Sequence, residues 1–227
     1  MLATRIAVAL FGLVLAAVAI ALRVSRRRPR RATVVELENE TSVDPSTEAV
    51  TSIQKADLSI DREALQEIWT PMHLERLART YWRFLSRVTL GLIHVHYSEG
   101  ERSVVFLVAP LRLLTFRAPE YEMDASHGLV RWRISRGVLV SRRGRDGGGY
   151  LQIEVRRPPG DDGAGPRTRL HVEIAVVNFY PSIASGLSRT IYNITQSRIH
   201  VVVTYSFLRS LTRLDLAESR VGRLQDQ

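Results

Sequence analysis

The chain contains no cysteine. That excludes disulfides, thiolate catalysis and cysteine-ligated zinc or iron–sulfur centres. Lysine is nearly absent as well: Lys55 is the only one, so the net charge of +9 is carried almost wholly by arginine. Arginine in such excess can follow from genome composition, so where the charge lies matters more than how much there is. No GxSxG, HExxH or GxGxxG spacing occurs, which removes the short signatures of hydrolases, zinc proteases and dinucleotide sites. The glycine-rich GRDGGG at 144–149 joins two predicted strands instead of opening a helix, and reads as a hairpin turn. Asp161 and Asp162 sit in PPGDDGAGP, a loop by composition, and make no catalytic carboxylate pair there. No cofactor is implied, and enzymatic activity is not expected.

What the chain does have is a long apolar run at its start. Residues 6–22, IAVALFGLVLAAVAIAL, hold no charge, and as a helix they would span about 25 Å, the short end of a bilayer core. Arg23, Arg26, Arg27, Arg28, Arg30 and Arg31 follow at once, while only Arg5 and the amino terminus precede the run. The positive-inside bias then leaves a short N-terminus outside and the rest of the chain in the cytoplasm. A cleaved signal peptide is the competing reading, but it carries its positive charge ahead of the apolar core. Residues 1–31 are therefore expected to be a single-pass anchor in the cell (inner) membrane. Its arginines set topology and stand where they could touch anionic headgroups.

Residues 32–60 have no sustained period and set six acids against Lys55. They read as a flexible acidic linker. Residues 61–227 are then the cytoplasmic α+β domain, with hydrophobic content enough for one core. Asp61 is placed to cap a helix beginning REALQEIW, and Pro71 to open a second, in which Leu74, Leu77, Ala78, Tyr81, Leu85 and Val88 share a face. The period then changes to two. GLIHVHYS, SVVFLVAPL, RLLTFRAP, GLVRWRISRGVLVSR, YLQIEVRR and RLHVEIAVVNF are bounded by turn residues and predict a six-stranded antiparallel meander. Val130, Trp132 and Ile134 alternate with Arg131, Arg133 and Ser135, and Leu151, Ile153 and Val155 with Gln152 and Glu154. One face is greasy and the other wet. From Ile183 to Leu211 a three-or-four spacing predicts a long C-terminal helix, with a strand over 199–207 as the alternative because IHVVVTYSF is rich in β-branched residues.

His94 and His96 stand two apart on one predicted strand, and His127, His171 or Glu173 could supply a third metal ligand. With no carboxylate-rich motif beside them, interfacial or half-buried histidines are the preferred reading. Nucleic-acid binding could use the arginines with Trp132 and Tyr150, but arginines that alternate with core residues describe any solvated sheet face. A nucleic-acid partner is not expected.

The order helix, meander, long C-terminal helix, from GLIHVHYS at 91–98 to FLRSL at 207–211, resembles the helix-grip fold of the START, Bet v1 and polyketide-cyclase superfamily. RLHVEIAVVNFYPSI running into IYNITQSRIHVVVTYSFL carries most of the likeness. The resemblance implies a sheet wrapped on a long helix around an apolar cavity, and binding of a lipid-like or other hydrophobic molecule. Two helices stand here where that family has a first strand. The superfamily is recognised by architecture, so it assigns no residue. The cavity candidates come from the pattern instead: Val130, Trp132, Ile134, Leu151, Ile153, Ile191 and Tyr205. The expectation is a membrane-tethered domain that binds an apolar or amphipathic ligand at the membrane surface. A tethered protein-interaction module with a filled core is the alternative, and a cyclase- or hydrolase-type enzyme the third reading.

Overall fold

The structure is a computed structural model and describes residues 32–89, 91–106, 112–145, 148–157, 165–182, 207–208 and 211. In chain order it has β1 (Ala32–Val43), β2 (Val50–Asp61), α1 (Arg62–Ile68), α2 (Pro71–Val88), β3 (Ile93–Tyr97), β4 (Glu101–Phe106), β5 (Arg112–Arg117), β6 (Glu120–Met123), β7 (His127–Arg136), β8 (Tyr150–Arg156) and β9 (Arg167–Phe179). The strands form one antiparallel sheet in the order β1-β2-β9-β8-β7-β5-β4-β3, with β6 paired to β7 beside that path. The fold class is α+β. The expected meander is present from β3 to β9, and the short strand β6 is an addition to it.

The expectation of a flexible linker over 32–60 is corrected: β1 and β2 form a hairpin, and β2 pairs with β9 from Val50↔Phe179 to Asp61↔Arg167. The buried positions of β2 are Ser52, Gln54, Ala56, Leu58 and Ile60. That is a period of two whose first half is polar, which hides the strand from a hydropathy reading. The hairpin turn is built by Asp44, whose carboxylate accepts hydrogen bonds from Ser46 N (2.7 Å) and Thr47 N (3.0 Å). Those bonds and one from the Ser46 hydroxyl hold its pKa at about 2.

Both helices start as their caps dictate. The Asp61 carboxylate accepts from Ala64 N (3.1 Å) to open α1, and the Thr70 hydroxyl accepts from His73 N with Pro71 in the first turn of α2. The expected face of α2 is the buried one: Leu74, Leu77, Ala78, Tyr81 and Trp82 pack on the inner face of the sheet. There they meet Leu58 and Ile60 of β2, Trp132 of β7, Ile153 of β8 and Ile174 of β9. The centre is aromatic. Trp82 packs edge-on against Trp132 with ring centres 5.2 Å apart, and Tyr81 against Phe207 at 5.3 Å.

The tight turn expected at 144–149 is also revised. β7 ends at Arg136 because Gly137 takes φ +147°, where an added Cβ would stand 2.2 Å from the Leu113 carbonyl oxygen. The chain then runs alongside β5 and residues 180–182, through one 3-10 turn (Arg142–Gly144), before β8 begins. The expected C-terminal helix lies mostly outside the described residues; Phe207 and Leu208 are helical and, with Leu211, buried in the core. The expected anchor, residues 1–31, lies outside the described residues too. Among those described, no helix is long and apolar enough to cross a membrane.

Candidate functional site

Beneath the corner where α1 meets α2, the sheet and helices leave an apolar cavity of about 50 Å3. Leu65, Ile68 and Trp69 wall it from α1 and its end, Leu74 and Leu77 from α2, Leu58, Val155, Leu170 and Val172 from the sheet, and Met123 and Leu211 complete it. Its place follows from the chain path. The Thr70 cap and Pro71 force a break between the two helices, so neither covers the ends of β8 and β9 fully.

Among the described residues His73 is the one titratable group in this wall. Arg76 NH1 lies 3.1 Å from its Nε2, and because a guanidinium can only donate, Nε2 is the acceptor. Nδ1 then carries the proton and donates to the Thr70 hydroxyl at 2.8 Å. Burial, with the neighbouring Arg76 charge, pushes the His73 pKa below its ordinary 6.5. The cavity wall is thus neutral, with a single oriented imidazole. A second polar set lies on the inner face of β1–β2: Gln54, fully buried, donates to Asn39 Oδ1 (3.0 Å) and Ser52 Oγ (2.8 Å), while its Oε1 has no partner among the described residues.

Of the cavity residues expected from alternation, Val130, Trp132, Ile134, Leu151 and Ile153 all lie in the packed core, and none lines this cavity. Ile191 and Tyr205 lie outside the described residues, as do Arg23, Arg26, Arg27, Arg28, Arg30 and Arg31. None of the residues that line the cavity was an expected cavity residue: Leu58 fell in the expected linker, and Ile68, Trp69, His73 and Met123 come from a helix junction and a four-residue strand. Neither offers enough turns or alternations to show a period. His94 and His96 face the same way on β3 with rings 5.1 Å apart. Two of their three proposed third ligands are engaged elsewhere, His127 with Glu154 (2.7 Å) and His171 with Asp57 (2.6 Å). No group of three metal-ligating side chains forms among the described residues.

No family model and no curated protein matches this chain. Solved structures do. The NMR structure of CalU16 from Micromonospora echinospora is similar over 86% of this chain and 81% of its own, at 11% identity and a TM-score of 0.28. The crystal structure of Ara h 8.0201 is similar over 70% of this chain and 99% of its own, at 10% identity and a TM-score of 0.29.

The wet face of the sheet departs from expectation in its middle. Gln152 and Glu154 are as buried as core residues, Glu154 being 5% exposed. Arginines cover them. Arg131 donates twice to Gln152 Oε1 (3.1 and 2.9 Å) and lies over the Tyr150 ring, and Arg156 and His127 bind Glu154. Burial alone would push the Glu154 carboxyl up, but the bonds from Arg156 and His127 outweigh it and hold the pKa below the ordinary carboxylate value. Arg133 forms a two-pronged pair with Glu120. The recurrent arginines of β7 and β8 therefore close the sheet's own polar surface.

Proposed function

We propose that this chain is a membrane-tethered module that seats the apolar end of a hydrophobic or amphipathic molecule in the cavity under the α1–α2 corner. The observation that carries the reading is an apolar cavity lined by both helices and the sheet, with no charged group among the described residues of its walls once His73 is neutral. The first-strand position that the two helices were expected to occupy is filled by β2, which precedes α1 and joins the sheet through β9. That brings the chain nearer to the helix-grip order than its sequence pattern did. The apolar run at 6–22 and the arginines after it support a tether that holds the domain on the cytoplasmic side, where such ligands are concentrated. At about 50 Å3 the cavity is a third of the roughly 150 Å3 that accommodates benzene in an engineered core, so a longer chain enters only as the α1–α2 corner moves outward.

The test is uptake of an environment-sensitive hydrophobic probe by the full chain in mild detergent. Saturable uptake is expected, and Val155→Phe, which adds a ring at the cavity wall, should abolish it while the melting transition is retained. Absence of saturable uptake by the folded chain would favour the second reading, a tethered protein-interaction module. The specific observation behind that alternative is the filled aromatic centre around Trp82 and Trp132.

A further inference from the structure

On the sheet face away from the helices, β5 and β7 share only two register pairs, Thr115↔Arg136 and Phe116↔Ile134, with a shift between them. The sheet creases there. Phe116 and Ile134 point into the core, so Thr115 and Ser135 floor the opposite side. Along the crease runs a groove of about 560 Å3, whose lining includes Arg112, Arg117, Arg136 and Arg145. Among the described residues of that lining Glu101 is the single acid, and Arg136 occupies both of its oxygens at 2.8 and 2.9 Å. Arg112 and Arg145 make no side-chain hydrogen bond or ion pair with the described residues, unlike Arg131, Arg133 and Arg156. Like charges gathered around one polar groove repel one another, and a bound anion relieves that repulsion.

The walls are also fixed in place. Val138 N donates to the Arg112 carbonyl (3.0 Å) and Leu139 N to that of Leu113 (3.1 Å). Gly137 allows this contact, because any larger residue would drive a Cβ into the Leu113 carbonyl. The end of β7 that carries Arg136 is thereby clamped to the start of β5 that carries Arg112, so the backbone of the groove is set and a ligand has only the arginine side chains to order.

We propose that this groove binds a phosphate-bearing anion, either a free phosphate compound or a lipid headgroup. Guanidinium forks match phosphate oxygens bidentately. Arg112 and Arg145, beside the neutralised Arg136–Glu101 pair, suit a doubly charged phosphate better than a single carboxylate. The site lies on the opposite face from the apolar cavity and does not depend on it.

The full chain in non-ionic detergent is titrated with pyrophosphate and, separately, with a short-chain phosphatidate. Saturable binding of at least one is expected, weakened about tenfold in the Arg112→Gln/Arg145→Gln double variant, as loss of charge-assisted bonds requires. Glu101→Gln releases Arg136 and should tighten binding several-fold. Pyrophosphate binding alone identifies a soluble phosphate compound as the occupant, and phosphatidate that competes with pyrophosphate identifies a headgroup. If neither probe saturates, or the folded double variant binds as the parent does, the proposal is overturned. Should the double variant not fold, Glu101→Gln decides alone: tighter binding supports the site, and unchanged or weaker binding overturns it.

Discussion

Shortening Leu58 to alanine separates a strand from a spacer in the segment Val50–Asp61. Leu58 has no exposed surface, lies opposite Leu170 on β9, and forms part of the apolar cavity wall. The substitution removes three methylene-sized groups, about 2.4 kcal/mol in transfer free energy at about 0.8 kcal/mol each. The space left merges with a cavity already present and cannot collapse onto it, which takes the total to about 3–5 kcal/mol. With a urea slope of about 2 kcal/mol/M, the unfolding midpoint falls by roughly 2 M. The assay is urea unfolding of the full chain followed by tryptophan fluorescence, since Trp82 of α2 and Trp132 of β7 are buried against each other. Val35→Ala is the comparison: Val35 is 57% exposed at the β1 bulge, and its loss should stay within about 0.5 kcal/mol. Leu58→Ala indistinguishable from Val35→Ala would refute the insertion of β2 between β1 and β9. The same enlargement should raise probe uptake, if the cavity is the ligand's seat.

The two faces of β7 predict an ordering. Trp132→Ala should cost about 3–5 kcal/mol, plus part of its edge-on contact with Trp82, whereas Arg131→Ala leaves the buried Gln152 Oε1 without donors and should cost about 1–3 kcal/mol; the reverse order in denaturant melts would mean swapped faces. His73 binds a proton less readily folded than unfolded, so its contribution falls as pH drops below 6.5 toward the depressed folded value. The chain should melt at a lower temperature at pH 5.5 than at pH 7.5, and by a smaller margin in His73→Asn; an unchanged margin would clear His73 of any part. A reporter active only in the cytoplasm, fused after Gln227, should be active, and neutral residues in place of the arginines at 23–31 should scramble that result. Removal of the domain by protease added to intact spheroplasts would reverse the assigned side.

Much of the fold was legible because local chemistry specified it. The Asp61 cap, the Pro71 start, the apolar face of α2 and the inward row of β7 and β8 each depend on residues within a few positions of one another, and the structure keeps them; the outward row of β8 it does not leave wet, since Gln152 and Glu154 are buried under arginines. The β1–β2 hairpin was illegible because its inward residues include Ser52 and Gln54. Those polar groups are tolerable only where Asn39, Thr41 and the paired strands receive them. The role of the arginines divides the same way. Sequence shows that they alternate with core residues, but Arg131 meets Gln152 and Arg133 meets Glu120 across strands, while Arg112 and Arg145 meet no described partner. Register and the crease at Gly137 decide which arginines are consumed and which remain available. The cavity, too, belongs to tertiary structure alone. It is the gap left where two helices diverge over strand ends, and a gap between elements has no period in any one of them.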